Sequence, residues 1–140
     1  MAYKNKLTFG VIVGTRNIFN YKLAQEGRKE ILSILEKNGF NVVILPEKET
    51  PTGAIETIQD AQKCAKLFNE KRTLIDGIII VLPNFGDELG IVNTLKYSEL
   101  NLPVLVQAID DDNDKVDVKS RRDSFCGKLS VCNNLFQYGI

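Results

Sequence analysis

Short apolar runs alternate with amphipathic stretches along this chain. Residues 7–13 (LTFGVIV) are apolar and rich in β-branched side chains up to Gly14, the pattern of a strand buried on both faces. Leu23, Gly27, Ile31, Ile34 and Leu35 then recur at near-helical spacing among charged residues, and Gly39 stands where a left-handed C-cap ends a helix. Residues 41–45 (NVVIL) predict a second strand, stopped by Pro46. Thr57 and Asp60 form a capping box that opens a helix with Ile58, Ala61, Ala65 and Phe68 inward. Residues 77–82 (GIIIVL) predict a central strand, and PNFGD at 83–87 breaks it before a helix carrying Leu89, Val92 and Leu95. Residues 103–108 (PVLVQA) predict a fourth strand, followed by a solvated acidic loop at 110–114. A second capping box, Ser120 with Asp123, is expected to open the last helix. Phe125, Leu129, Cys132 and Leu135 or Phe136 line one face of that helix, and Gly139 ends it.

This alternation of strand and helix predicts an α/β protein: a parallel sheet covered on both faces, three layers deep (αβα), flavodoxin-like or Rossmann-like. The expected strand order is 2-1-3-4. In that order the connections leave the first and third strands in opposite directions, so a crevice opens at their carboxyl ends, where open α/β sheets bind ligands. The loops at 14–20 and 83–87 border it, and the loop at 107–122 emerges on the same side. Helices opening at Asp87 and Ser120 would aim free N–H groups into it and favour an anionic or hydroxyl-rich ligand. The fourth strand forms an edge without a charged residue at 104–107, which predicts a further strand, a partner subunit or a continuation of the chain beside it.

Composition narrows the chemistry. The 140 residues fit one domain spanning 1–140, and 18 basic against 18 acidic side chains leave no field to attract nucleic acid or an anionic membrane. Histidine is absent, which excludes Ser-His-Asp and Cys-His catalysis and most zinc sites. Cys64, Cys126 and Cys132 have no C-x-x-C spacing and read as reduced, buried thiols. The opening residues lack a signal-type apolar segment, and no run approaches the roughly 20 residues of a membrane span, so a cytoplasmic location is expected. Neither G-x-G-x-x-G nor a P-loop occurs, which argues against a nucleotide.

Several side chains are candidates for ligand contact. Arg16, in the loop after the first strand, offers planar donors for vicinal hydroxyls or a carboxylate, or else is a solvated surface group. Asn84, Phe85 and Asp87 place an amide, a ring and a carboxylate in one turn, although Asp87 is equally suited to cap the following helix. Gln107 ends a strand at the crevice and either donates to a ligand or bonds a neighbouring loop. Arg121 and Arg122, beside Asp123 and Ser124, would hold an anion unless the two arginines pair with the preceding acidic run. Asp110, Asp112 and Asp114 resemble the start of a calcium loop, but Lys115 replaces its glycine and Arg121 its bidentate glutamate, so no metal site is expected.

Four strings carry a family resemblance: GVIVGTRNIF at 10–19, LPNFGDE at 82–88, PVLVQA at 103–108 and, most specific, RRDSFCGKLSVCNNL at 121–135. They resemble the amino-terminal domain of L-fucose/L-arabinose isomerase-like proteins. The resemblance implies aldose–ketose interconversion through an enediol in the parent protein, with a divalent metal, typically manganese (Mn2+), held by later domains. It also implies that this chain alone holds neither metal nor acid–base pair, and that its partners are the remaining isomerase domains, neighbouring subunits and a small sugar. Arg16 resembles the family's arginine that reaches substrate hydroxyls. Asn84 and Phe85 resemble a pocket loop, and Asp123 and Ser124 lie in the most specific string. The alternative is a stand-alone flavodoxin-like module that binds a sugar or another small polar ligand.

Overall fold

The computed structural model describes residues 6–140, so the expectation about the opening residues 1–5 lies outside it. Among the described residues the sheet has four strands, all parallel, in the order β2-β1-β3-β4: β1 Thr8–Val13, β2 Asn41–Ile44, β3 Gly77–Leu82 and β4 Val104–Ala108. The helices are α1 Tyr21–Lys37, α2 Ile58–Glu70, α3 Glu88–Ser98 and α4 Ser124–Gln137. This is the expected three-layer α/β arrangement, with the switch point between β1 and β3. Among the described residues no helix is long and apolar enough to cross a membrane.

Side chains alternate across the sheet and divide the core in two. Ile12, Ile78, Ile80 and Leu82 pack with Phe68 of α2, Ile91 and Val92 of α3, and Val131 and Leu135 of α4. Val11, Val13, Ile79 and Val81 pack on the other face with Ala24 and Leu35 of α1. One face therefore carries three helices and the other carries α1. Leu105 is aligned with Ile79 on the α1 face, where it is 59% exposed.

Local signals set most element ends. Thr57 Oγ1 accepts from the Asp60 N–H at 3.1 Å while the Asp60 carboxylate accepts from the Thr57 N–H at 3.0 Å, so α2 opens on the predicted capping box. Gly39, at φ 78°, ends α1 in the left-handed conformation. Some inward assignments differ. Ile34, Ile58 and Leu89 are exposed, while Arg28 of α1 and Ile91 of α3 are buried.

The largest departure is α4, which begins at Ser124 rather than after Ser120. Asp117, not Asp123, engages the Ser120 hydroxyl and the Lys119 N–H. Asp123 sits at φ 51° with no side-chain cap, and the Asp111 carboxylate instead accepts from the N–H groups of Ser124 at 3.1 Å and Phe125 at 3.2 Å. The helix turns Ser124, Gly127, Val131 and Leu135 inward. Phe125, Leu129, Cys132 and Phe136 share the outer face and are exposed, because helical spacing defines a stripe but not the direction it faces. Of the three thiols, Cys64 is buried and burial pushes its pKa up to about 12, whereas Cys126 and Cys132 are exposed.

Arg28 shows how the loop after β2 is held. Its guanidinium donates to Gly53 O and Leu45 O, each at 2.7 Å, and thereby clamps both sides of the irregular segment between β2 and α2. Burial lowers the Arg28 pKa, opposed by the nearby Glu47 carboxylate. Replacing Arg28 with Met leaves two carbonyls unpaired, at a cost of about 3 kcal/mol. Denaturant melts of Arg28→Met and Arg28→Lys should place the lysine variant between wild type and the methionine variant; equal stability of all three would remove the clamp from the account.

Candidate ligand crevice at the switch point

The crevice is built from loops that the sheet brings together. The segment after Gly53 pairs with the end of β1: Ile55 N donates to Val13 O at 2.7 Å, and Thr15 N donates to Ile55 O at 3.0 Å. This pairing delivers the next residue, Glu56, to the β1 loop. Across the switch point, Asn84 is fully buried. Its Nδ2 donates to Thr15 Oγ1 at 2.9 Å, and its Oδ1 accepts from the Gly86 N–H at 3.0 Å. Gly86 takes φ 76°, a conformation a side chain would strain, and reverses the chain between Phe85 and α3.

Arg16 lies at the centre of this arrangement. Its guanidinium carbon stands 4.6 Å from the centre of the Phe85 ring, Nη2 forms an ion pair with Glu88, and Asp87 Oδ2 lies 4.0 Å away. Asp87 also caps α3, accepting from the Gly90 N–H at 2.8 Å. Burial raises the Glu56 pKa, and the Asp87 and Asp60 charges add to it; the Asn17 N–H and Arg16 oppose the shift. The result is a guanidinium stacked on a ring and bordered by three carboxylates.

The loop after β4 forms another wall. Arg122 Nη1 donates to Pro83 O at 2.8 Å, and the Arg121 guanidinium lies 5.9 Å from the Phe19 ring centre with its Nε 3.2 Å from Asp123 Oδ2. The two arginines thus engage the crevice loops and Asp123 rather than forming ion pairs with the acidic run. Ser124 is buried and donates its hydroxyl to Ile109 O. Gln107 Nε2 donates to Ala108 O at 2.7 Å. Of the residues predicted from sequence, Arg16, Phe85 and Asp87 come together with partly exposed side chains. Asn84 and Ser124 are buried and their side chains are hydrogen-bonded within the protein, while Gln107 and Asp123 lie along the β4 side. Glu56 and Glu88 were not anticipated: LPNFGDE contains Glu88, but its partner Arg16 is 72 residues away, and Glu56 arrives only through the Ile55 pairing.

The donor set can be tested against the metal that the resemblance implies. Among the described residues no three His, Cys, Asp or Glu side chains are grouped to hold a metal ion. Asp87 is committed to a helix cap and Glu88 to Arg16, so the crevice does not fit a resident manganese.

The fold and site define an open α/β domain whose ligand crevice lies at the switch point of a parallel sheet. Within that class, the family model described as the fucose/sulfoquinovose isomerase N-terminal domain matches residues 10–140, and the chain belongs to this family. No curated protein and no solved structure gives a significant match.

Two measurements probe the geometry. A Cβ on Gly127 would collide with the Phe85 backbone, which cannot rotate away, so Gly127→Ala should lose about 3 kcal/mol and melt roughly 10 °C lower. An unchanged melting temperature would show that α4 does not press on this loop. The raised Glu56 pKa favours its protonated form in the fold, so its contribution to stability falls as pH rises from the unfolded value through the folded one. Glu56→Gln should therefore gain stability relative to wild type more at neutral pH than near about pH 4. A gain independent of pH would contradict this.

Proposed function

We propose that this chain is the substrate-bordering and subunit-assembly domain of a metal-dependent aldose–ketose isomerase and does not isomerise sugar by itself. The observation that carries the reading is Arg16, held over Phe85 by Glu88 at the switch-point crevice of a chain that belongs to this isomerase family. A guanidinium oriented in this way offers its remaining N–H groups to vicinal hydroxyls, and Asp87 can accept hydrogen bonds from them. The manganese, and the carboxylates that move the proton, come in this reading from other domains of the parent protein.

The assembly part rests on exposed apolar surface. Phe125, Leu129 and Phe136 on α4 are 63%, 60% and 82% exposed, and Leu105 projects from the uncovered face of β4. Patches of this kind mark surfaces that other protein covers. In this reading the contacting protein consists of the remaining isomerase domains and neighbouring subunits, and the location is the cytoplasm.

Titration of the isotope-labelled chain with L-fucose should shift the amide resonances of Arg16, Phe85 and Glu88 while those of β2 stay in place. Arg16→Ala should weaken the response about tenfold. The chain supplied with manganese should convert no aldose to ketose. A titration with no response at these residues would refute the substrate-bordering role, and turnover by the chain alone would refute its dependence on other domains.

A further inference from the structure

The backbone of Glu56 is fixed from several elements at once. Ile55 pairs with the end of β1, and the Glu56 N–H donates to Asp60 Oδ2 at 3.3 Å in the first turn of α2. A Cβ on Gly90 would lie 2.9 Å from the Glu56 carbonyl oxygen, so the same residue rests on the first turn of α3. Its side chain then meets the loop after β1. The Asn17 N–H donates to the Glu56 carboxylate, and Asn17 directly follows Arg16. One residue thus ties the loop that carries Arg16 to the starts of α2 and α3.

The charge on this side chain is not explained by the fold alone. A neutral amide would accept from the Asn17 N–H without the cost of burying a carboxylate close to Asp87 and Asp60. Arg16 supplies the missing reason, because its guanidinium is the cation that lowers that cost. Glu88 and Asp87 both approach Arg16 at Nη2, so a further negative charge restrains the guanidinium beyond this one nitrogen. The charged groups around Glu56 are then Arg16 from the β1 loop, Asp60 from α2 and Asp87 from α3, with Glu88 joined through Arg16.

We infer that Glu56 is a positioning residue: its carboxylate steadies the loop after β1 and, together with Glu88, holds the Arg16 guanidinium over Phe85 in the pose that receives sugar hydroxyls. The inference rests on the crevice being the sugar-bordering site proposed above. A guanidinium already ordered before the sugar arrives loses less freedom on binding, which is how a residue that need not touch the sugar raises affinity.

Two variants separate the acceptor from the charge. Glu56→Gln keeps an acceptor for the Asn17 N–H and removes the charge, and should bind L-fucose about threefold more weakly at neutral pH. It does so while gaining stability, an opposite movement that a merely structural role would not produce. Glu56→Ala removes both and should bind about tenfold more weakly, with the Arg16 Nε–H resonance of the sugar-free chain exchanging faster with water. As pH falls from about 7 to about 4, wild-type affinity should decline toward that of the glutamine variant, because protonation removes the same charge. The glutamine variant and the pH series carry the test if the alanine variant does not fold. Equal affinity of wild type and Glu56→Gln at every pH, or a wild-type exchange rate of the Arg16 Nε–H in Glu56→Ala, would overturn the positioning role and leave the sugar site standing. No response of the wild type to L-fucose would overturn the sugar site, and this role with it.

Discussion

The buried Asn84 carboxamide joins the two loops on which the crevice depends. β1 and β3 are neighbours in the sheet, but the chain leaves them toward helices on opposite faces, so their outgoing loops diverge. Asn84 bridges that divergence by donating to Thr15 on one side and accepting from Gly86 on the other. A buried amide with one group unpaired would cost about 1–3 kcal/mol, which favures the single geometry in which both are satisfied. In that geometry Phe85 lies beneath Arg16, and Glu88, one residue into α3, reaches the guanidinium. The position of Arg16 thus follows from a side chain that is itself inaccessible to solvent.

The other walls are held by contacts between loop side chains and backbone. Ile55 extends the edge of β1 and brings Glu56 beside the Arg16 loop, while Arg28 fixes the backbone just before that pairing. Asp111, Ser124 and Arg122 fold the loop after β4 onto its own base and onto Pro83. These contacts also determine the electrostatics. Carboxylates fill the helix N-termini, and the partly buried Glu56 beside Asp87 binds its proton more tightly than an ordinary glutamate.

The strands were legible because each is a short apolar run between turn residues, and the order followed from connection rules that leave few parallel arrangements. The α2 capping box and the Gly39 terminus were legible because their partners lie within a few residues. What sequence did not reveal depends on distant partners. The Asp111 cap of α4 acts from 13 residues upstream, so the nearer Ser120 and Asp123 looked like the helix start. The buried role of Arg28 was not legible, because its partners are backbone carbonyls that leave no mark in a pattern of side chains. Arg16 was identifiable as a crevice residue, but Glu88 and Glu56 became its neighbours only through the fold.

The outward face of α4 follows from the same packing that fixes the site. Gly127 lets the helix approach the Phe85 backbone, and the Ser124 hydroxyl bonds Ile109 O, so the inward face of its first turns is small and polar. Rotating the helix to bury Phe125 and Leu129 would place bulky side chains against the Phe85 loop and break the Ser124 bond. The close approach of the helix at Gly127 therefore leaves the large apolar side chains outside. On the proposed reading this links the two roles of the domain: the contact that steadies the Phe85 loop also presents Phe125, Leu129 and Phe136 to a neighbour.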